Sequence, residues 1–242
     1  MSRPILRVLL KLSGEALAGR LGNGGASAID ADVIRRLAAD VIDAQRAGLE
    51  VAVVLGGGNL CRGAELERLG LHRVTGDQIG MLATVMNALA FRDVLEALGA
   101  KASVLSALSI PGLVETYSQR RAVELLGAGT IAIFAAGTGN PLFTTDTAAC
   151  LRGIEIEADL VLKATQVDGV YSADPKRHPD AERYARLSYD DVIARDLKVM
   201  DLTAVCLCRD HNMPIVVFDL ATPQALRKIA QGESVGTLIE AG

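Results

Sequence analysis

Short apolar runs rich in Val, Ile, Leu and Ala recur along the chain, at 5–10, 51–55, 102–106, 130–134, 159–165 and 215–218. Stretches with helical spacing lie between or beyond them, at 30–48, 75–98, 118–126, 147–154, 188–195, 201–211 and 223–231, and a last strand is expected at 235–239. Runs with so little polar alternation read as strands buried on both faces, and parallel strands need helical crossovers between them. The expectation is an α/β fold: a three-layer αβα sandwich around a mainly parallel sheet, formed as a single domain over residues 1–242. Composition agrees, because 50% of the residues are hydrophobic but only 3% are aromatic, which leaves aliphatic side chains to fill the core.

Open α/β sheets bind ligands at the carboxyl ends of their strands, so the strand ends carry the functional reading. The run at 130–134 leads into Gly137-Thr138-Gly139-Asn140-Pro141-Leu142-Phe143-Thr144-Thr145-Asp146 and then into helical sequence. A strand, a glycine-rich turn and a helix start make an anion site, since glycines admit close approach and the first helical N–H groups point outward. Other strand ends share this character. Lys11-Leu12-Ser13-Gly14 follows the first run, Gly56-Gly57-Gly58-Asn59 follows the second with Arg62 just beyond, and Lys163-Ala164-Thr165 closes the run at 159–165. If these ends converge, Lys11, Lys163 and Arg62 supply positive charge, and Asp146 lies between the lysines to fix them. Phosphoryl transfer asks for little else: donor and acceptor in line, and cations where charge spreads.

Asp77, after Gly76, reads equally well as an N-cap carboxylate at the start of the 75–98 helix or as a site residue. Ile79, Leu82, Ala83, Met86, Leu89, Ala90 and Leu95 form one side of that helix. The face with Met81, Met86, Ala88 and Phe91 is apolar enough to pack on another helix, within the chain or across a subunit interface. Gly19 to Ala28 reads as a flexible loop, and the alternating charges from Lys176 to Arg186 as a solvated one.

Several classes are excluded. A net charge of −4 with few aromatics argues against nucleic-acid binding. The four cysteines and three histidines show no metal-ligand spacing, so no metal site is expected and the thiols suit a reducing cytoplasm. No run approaches the roughly 20 apolar residues of a membrane span. Neither a Gly-x-x-x-x-Gly-Lys-Ser/Thr phosphate loop nor the Rossmann Gly-x-Gly-x-x-Gly occurs.

Over nearly its whole length the chain resembles the amino-acid-kinase family, and within it the bacterial branch that phosphorylates UMP. The resemblance rests on Leu9 to Leu17, Gly56 to Leu60, Arg62-Gly63, Gly76-Asp77 and Gly80 to Asn87. It continues through Gly137 to Asp146, Leu151 to Glu155, Lys163 to Thr165, Val167 to Tyr171, Ala173 to Pro175 and Lys198 to Asp201. The resemblance implies the amino-acid-kinase fold, with Lys11, Lys163, Asp146 and Arg62 as catalytic residues. It implies ATP on Lys11, Leu12, Ser13, Gly14, Gly58 and Arg62, with the adenosine near Thr165, Gln166, Tyr171 and Asp174. It implies UMP on Gly57, on Asp77 through the ribose, and on Thr138, Gly139, Asn140, Pro141, Leu142, Phe143, Thr144 and Thr145. Mg²⁺ would ride on the ATP phosphates, UTP would inhibit, and the assembly would be a homohexamer of dimers packed through the long helix. Arg92 is kept, whereas Glu96, Ser103, Gln119 and Thr130 depart from the basic and aromatic set of a GTP effector pocket. The expected activity is ATP:UMP phosphotransfer in pyrimidine nucleotide biosynthesis. The competing readings are an acyl or carbamate kinase of the same family, and a nucleotide sensor or storage protein without turnover.

Overall fold

A computed structural model describes residues 5–20, 26–61, 63–175 and 177–242. Strand β1 (Arg7–Leu12) runs into a single 3-10 turn (Gly14–Leu17) and a small ribbon of β2 (Gly19–Arg20) and β3 (Ala26–Ser27). Helix α1 (Ala31–Arg46) follows, then β4 (Glu50–Leu55), α2 (Gly63–Arg68), the long α3 (Arg73–Ala97) and β5 (Ala102–Ser106). Next come β6 (Glu115–Thr116), α4 (Gln119–Gly127), β7 (Ile131–Ala135), α5 (Thr145–Glu155), β8 (Leu160–Thr165) and β9 (Val170–Tyr171). The chain ends with β10 (Arg183–Tyr184), β11 (Arg186–Ser188), α6 (Tyr189–Ala194), α7 (Leu202–Asp210), β12 (Ile215–Asp219), α8 (Ala225–Ala230) and β13 (Thr237–Glu240).

Nine strands form one sheet in the order β11-β13-β12-β8-β1-β4-β7-β5-β6, parallel at every pairing except β12 with β13. Successive side chains of a strand face opposite ways, so each central strand feeds two cores. Val8, Leu10 and Leu12 pack with α1, α3 and α8, while Leu9 packs toward the other layer with Ala149 and Cys150 of α5 and Cys208 of α7. The result is the expected αβα sandwich.

Local chemistry fixes the helix starts. Asp30 caps α1 by accepting from the N–H groups of Asp32 and Val33, and Thr144 caps α5 by accepting from Asp146 and Thr147. Three expectations need correction. Asp77 is no N-cap: α3 begins at Arg73, and Asp77 sits inside it. Leu82 and Met86 are exposed while Met81, Ala88 and Phe91 are buried, so neither apolar grouping expected on α3 forms one continuous buried face. A helix apolar nearly all round does not announce which side meets the sheet. Finally, the loops at 19–28 and 176–186 carry short paired strands: β2 pairs with β3, and β10 pairs with β9. Part of the first of these loops, 21–25, lies outside the described residues.

Candidate active site

Parallel pairing brings the carboxyl ends of β1, β4, β7, β8 and β12 to one edge of the sheet. In that register Lys11 of β1 lies directly beside Lys163 of β8, although 152 residues separate them in sequence. Both side chains project toward the α5 layer. Asp146, in the first turn of α5, meets them there: Lys11 Nζ stands 2.7 Å from Oδ1 and Lys163 Nζ 2.7 Å from Oδ2. Lys163 also donates to the carbonyl of Val199. The Lys11 contact is charge-to-charge, because the buried Oδ1 makes no aligned hydrogen bond.

Burial drives the Asp146 carboxyl up, but the two ammonium groups outweigh burial and hold it below its ordinary value. Its place at a helix N-terminus favours the anion further. Burial pulls the Lys163 ammonium down, aided by the charge of Lys11 and opposed by Asp146. A cation on Lys163 is therefore costly to keep, and added negative charge nearby relieves that cost.

Two glycine turns close against each other beside this trio. A Cβ on Gly14 would stand 2.6 Å from the Gly58 nitrogen and 2.8 Å from the Gly56 oxygen, so these turns meet backbone to backbone. Asn87 of α3 fixes the second turn. Its amide donates to the Gly56 carbonyl at 2.7 Å and to Asn59 Oδ1 at 2.7 Å, and Asn59 donates back at 3.1 Å.

The loop from β7 to α5 passes through the left-handed region at Ala136, Gly137, Gly139 and Leu142. Two of these positions carry side chains that disfavour it, so outside contacts must hold the turn. Thr84 of α3 does so by accepting from the Ala136 N–H at 2.7 Å, and Asp77 by accepting from the Leu142 N–H at 2.8 Å. Arg73 in turn donates to Asp77 at 2.9 Å. At the helix start, Asp201 accepts from the hydroxyls of Thr144 and Thr147.

Two cavities open at these strand ends, and only the larger is lined by lysines of the trio. The larger, about 670 Å³, is lined by Lys11, Ser13, Lys163, Thr165 and Gln166 among others. The smaller, about 150 Å³, is lined by Gly57, Asp77, Thr138, Asn140, Phe143, Thr144 and Thr145 among others. Most of the residues singled out from sequence thus fall on the expected side. Gly58 lines the smaller cavity instead of the larger. Tyr171 and Asp174 line neither; the Tyr171 hydroxyl donates to Asp168 at 2.6 Å. Leu12, Gly14, Gly139, Pro141 and Leu142 line neither cavity. Arg62 lies outside the described residues.

Sequence reasoning missed Glu15, Arg36 and Asp219 on the larger cavity, and Cys61, Gly76 and Gly80 on the smaller. It also gave no role to Thr84 and Asn87. A polar side chain flanked by Met81, Ala83, Val85 and Ala88 was the available signal, because buried polar groups must find partners.

A parallel sheet whose strand ends carry two lysines on one carboxylate, bare glycine turns and a capped helix start defines a phosphoryl-group transferase without a phosphate loop. The chain belongs to the amino acid kinase family, which it matches over residues 7–219. It is 57% identical over 235 residues to a uridylate kinase of Legionella pneumophila (strain Lens), covering 97% of this chain and 94% of that relative. A uridylate kinase of Yersinia enterocolitica is 58% identical over 233 residues, covering 96% of this chain and 92% of the relative. Among solved structures, the UMP kinase of Bacillus anthracis superposes with a TM-score of 0.94 at 40% identity, covering 98% of this chain and 97% of that one.

Proposed function

We propose that this chain transfers the γ-phosphoryl group of ATP to a phosphate oxygen of UMP, giving ADP and UDP. The observation that carries the reading is the Lys11–Asp146–Lys163 trio, whose lysines line the larger cavity while Thr145, next to Asp146 in sequence, lines the smaller. The names of its relatives supply the substrate. ATP occupies the larger cavity, with its phosphates on Lys11, Ser13 and the glycine turns. UMP occupies the smaller, with Asp77 on the ribose hydroxyls and the Thr138–Thr145 turn around uracil and phosphate.

As the γ-phosphoryl group passes between the nucleotides, negative charge spreads over its oxygens. Lys163, whose cationic form burial disfavours, gains most from that charge; Lys11 neutralises it from the neighbouring strand, and Asp146 keeps both ammonium groups in register. The donor set fits a Mg²⁺ that enters on the nucleotide. Asp146 Oδ1 has a lone pair without an aligned hydrogen bond, and Mg²⁺ takes one or two carboxylates together with phosphate oxygens. The ion would neutralise phosphate charge there.

The reading extends to a cytoplasmic enzyme of pyrimidine nucleotide biosynthesis, inhibited by UTP at the UMP cavity. No helix among the described residues is long and apolar enough to cross a membrane. A homohexamer is supported by the exposed Leu82 and Met86 on α3, an apolar strip with no cover within the chain. Incubation with Mg·ATP and each nucleoside monophosphate in turn tests the activity: UMP is expected to turn over at least tenfold faster than CMP or AMP. Preference for either of those, or trapping of an acyl phosphate with acetylglutamate, aspartate, glutamate or carbamate, overturns it.

A further inference from the structure

Three glycines in a row after β4 leave the 56–58 turn open to many conformations, because no Cβ forbids them. One face of α3 removes that freedom. Asp77, Gly80, Thr84 and Asn87 are spaced three or four residues apart, so they share a side of the helix. A Cβ on Gly57 would stand 2.8 Å from the Gly80 oxygen, so the turn lies bare against the helix backbone. Asn87 is fully buried and donates to the Gly56 carbonyl at 2.7 Å, while the Gly56 N–H donates to the Leu12 carbonyl of β1 at 2.9 Å. Asn59, just past the three glycines, is bonded to Asn87 and donates to the Ala28 carbonyl at 2.6 Å. The turn is thus gripped from the helix, from β1 and from the 26–28 segment.

The peptide between Gly56 and Gly57 is trans and planar, so its C=O and N–H point in opposite directions. With the carbonyl on Asn87, the Gly57 N–H is aimed away from that side chain. Among the described residues neither the Gly57 nor the Gly58 N–H donates to a partner, and both glycines line the smaller cavity. We propose that Asn87 is a positioning residue for phosphoryl transfer: it locks the triple-glycine turn so that these N–H groups stand ready for phosphate oxygens before either nucleotide binds. Fixed donors aimed at growing negative charge lower the barrier without reorganising during the reaction. Without the Asn87 amide, the Gly56–Gly57 peptide is free to rotate and its donor to face elsewhere. Asn87 lines neither cavity, so it acts through the turn and not by contact with a nucleotide.

This role rests on the nucleotide placement proposed above, so one arm of its test needs no nucleotide. Deuterium exchange of the nucleotide-free full chain is followed over 56–61, where the Gly56, Leu60 and Cys61 N–H groups are bonded. In Asn87→Ala, and in Asn87→Thr, which keeps the volume, exchange there should rise about tenfold or more while β1 and β8 keep the parent's rates. Steady-state kinetics with Mg·ATP and UMP form the second arm. In both variants kcat should fall about 10²-fold, with the KM for ATP and for UMP each within about threefold of the parent. Exchange that stays unchanged over 56–61, or rises equally in β1 and β8, overturns the lock. A kcat within about threefold of the parent in either variant, or a loss confined to KM, overturns the role in transfer. Absence of UMP turnover by the parent itself would count against the substrate reading and not against Asn87, on which the exchange arm still decides.

Discussion

The larger cavity takes Lys11 and Lys163 into its wall and the smaller takes Thr144 and Thr145, and the two are built from different material. The larger is walled by the ends of β1, β8 and β12 and by α1, elements fixed by the sheet's hydrogen-bond ladder. The smaller is walled by α3 and by a turn with four residues in the left-handed region, held in place by single side chains. Charge placement is thus a property of strand register, which no local change can shift without moving a core strand. The shape of the smaller cavity is instead a property of a few hydrogen bonds. An enzyme that must admit one triphosphate and select one monophosphate gains from that division: a rigid donor side, and an acceptor side whose outline individual residues define.

Substitutions on each side probe the contrast. Lys163→Met removes charge from the rigid side without touching the smaller cavity. It should lower kcat by about 10²–10³-fold while the KM for UMP stays within about threefold; a matching rise in KM would erase the separation. Asp146→Asn leaves two largely buried ammonium groups unpaired, and urea unfolding should show a loss of about 3 kcal/mol. On the adaptable side, Thr84→Val takes the acceptor from the Ala136 N–H. A stability loss of about 2 kcal/mol, read in the same unfolding series, is expected there, with the KM for UMP rising more than that for ATP. Asp77→Asn weakens the hold on the Leu142 N–H and on the proposed ribose contact, and should raise the KM for UMP about tenfold with kcat changed less.

The smallest effect is in pH. Asp146 is held below its ordinary value of 3.8, so its stabilising contribution is complete above pH 3.8 and is lost as pH falls through the lower folded value. The stability gap between the parent and Asp146→Asn should therefore be constant near neutrality and narrow below pH 3.8. A gap that widens with acid would mean that the carboxyl is not held as an anion.

The rigid side was also the more legible in sequence. Apolar runs located the strands, and Lys11, Lys163 and the glycine turns stood visibly at their ends. Their adjacency was not visible, because 152 residues of sequence separation say nothing of register until β8 is known to pair with β1. The adaptable side was read less well. The start of α3 was misplaced because His72 makes no side-chain cap, so nothing in the local sequence marks it. Thr84 and Asn87 passed unread because their partners, Ala136 and Gly56, are backbone groups of distant turns. On the rigid side, Tyr171 and Asp174 were assigned to the adenosine by resemblance alone, and both lie outside the lining of the larger cavity.

The central position of β1 has a consequence for the making of the protein. Strand β1 needs β4 on one side and β8 on the other. After β4 emerges, about 105 further residues must be synthesised before β8 begins, roughly 5–20 s at about 5–20 residues per second. Through that interval the nascent chain carries an unpaired apolar strand edge, the kind of surface that invites pairing with a neighbour. Translation speed between residues 55 and 160, and the chaperones present meanwhile, therefore bear on the yield of this enzyme.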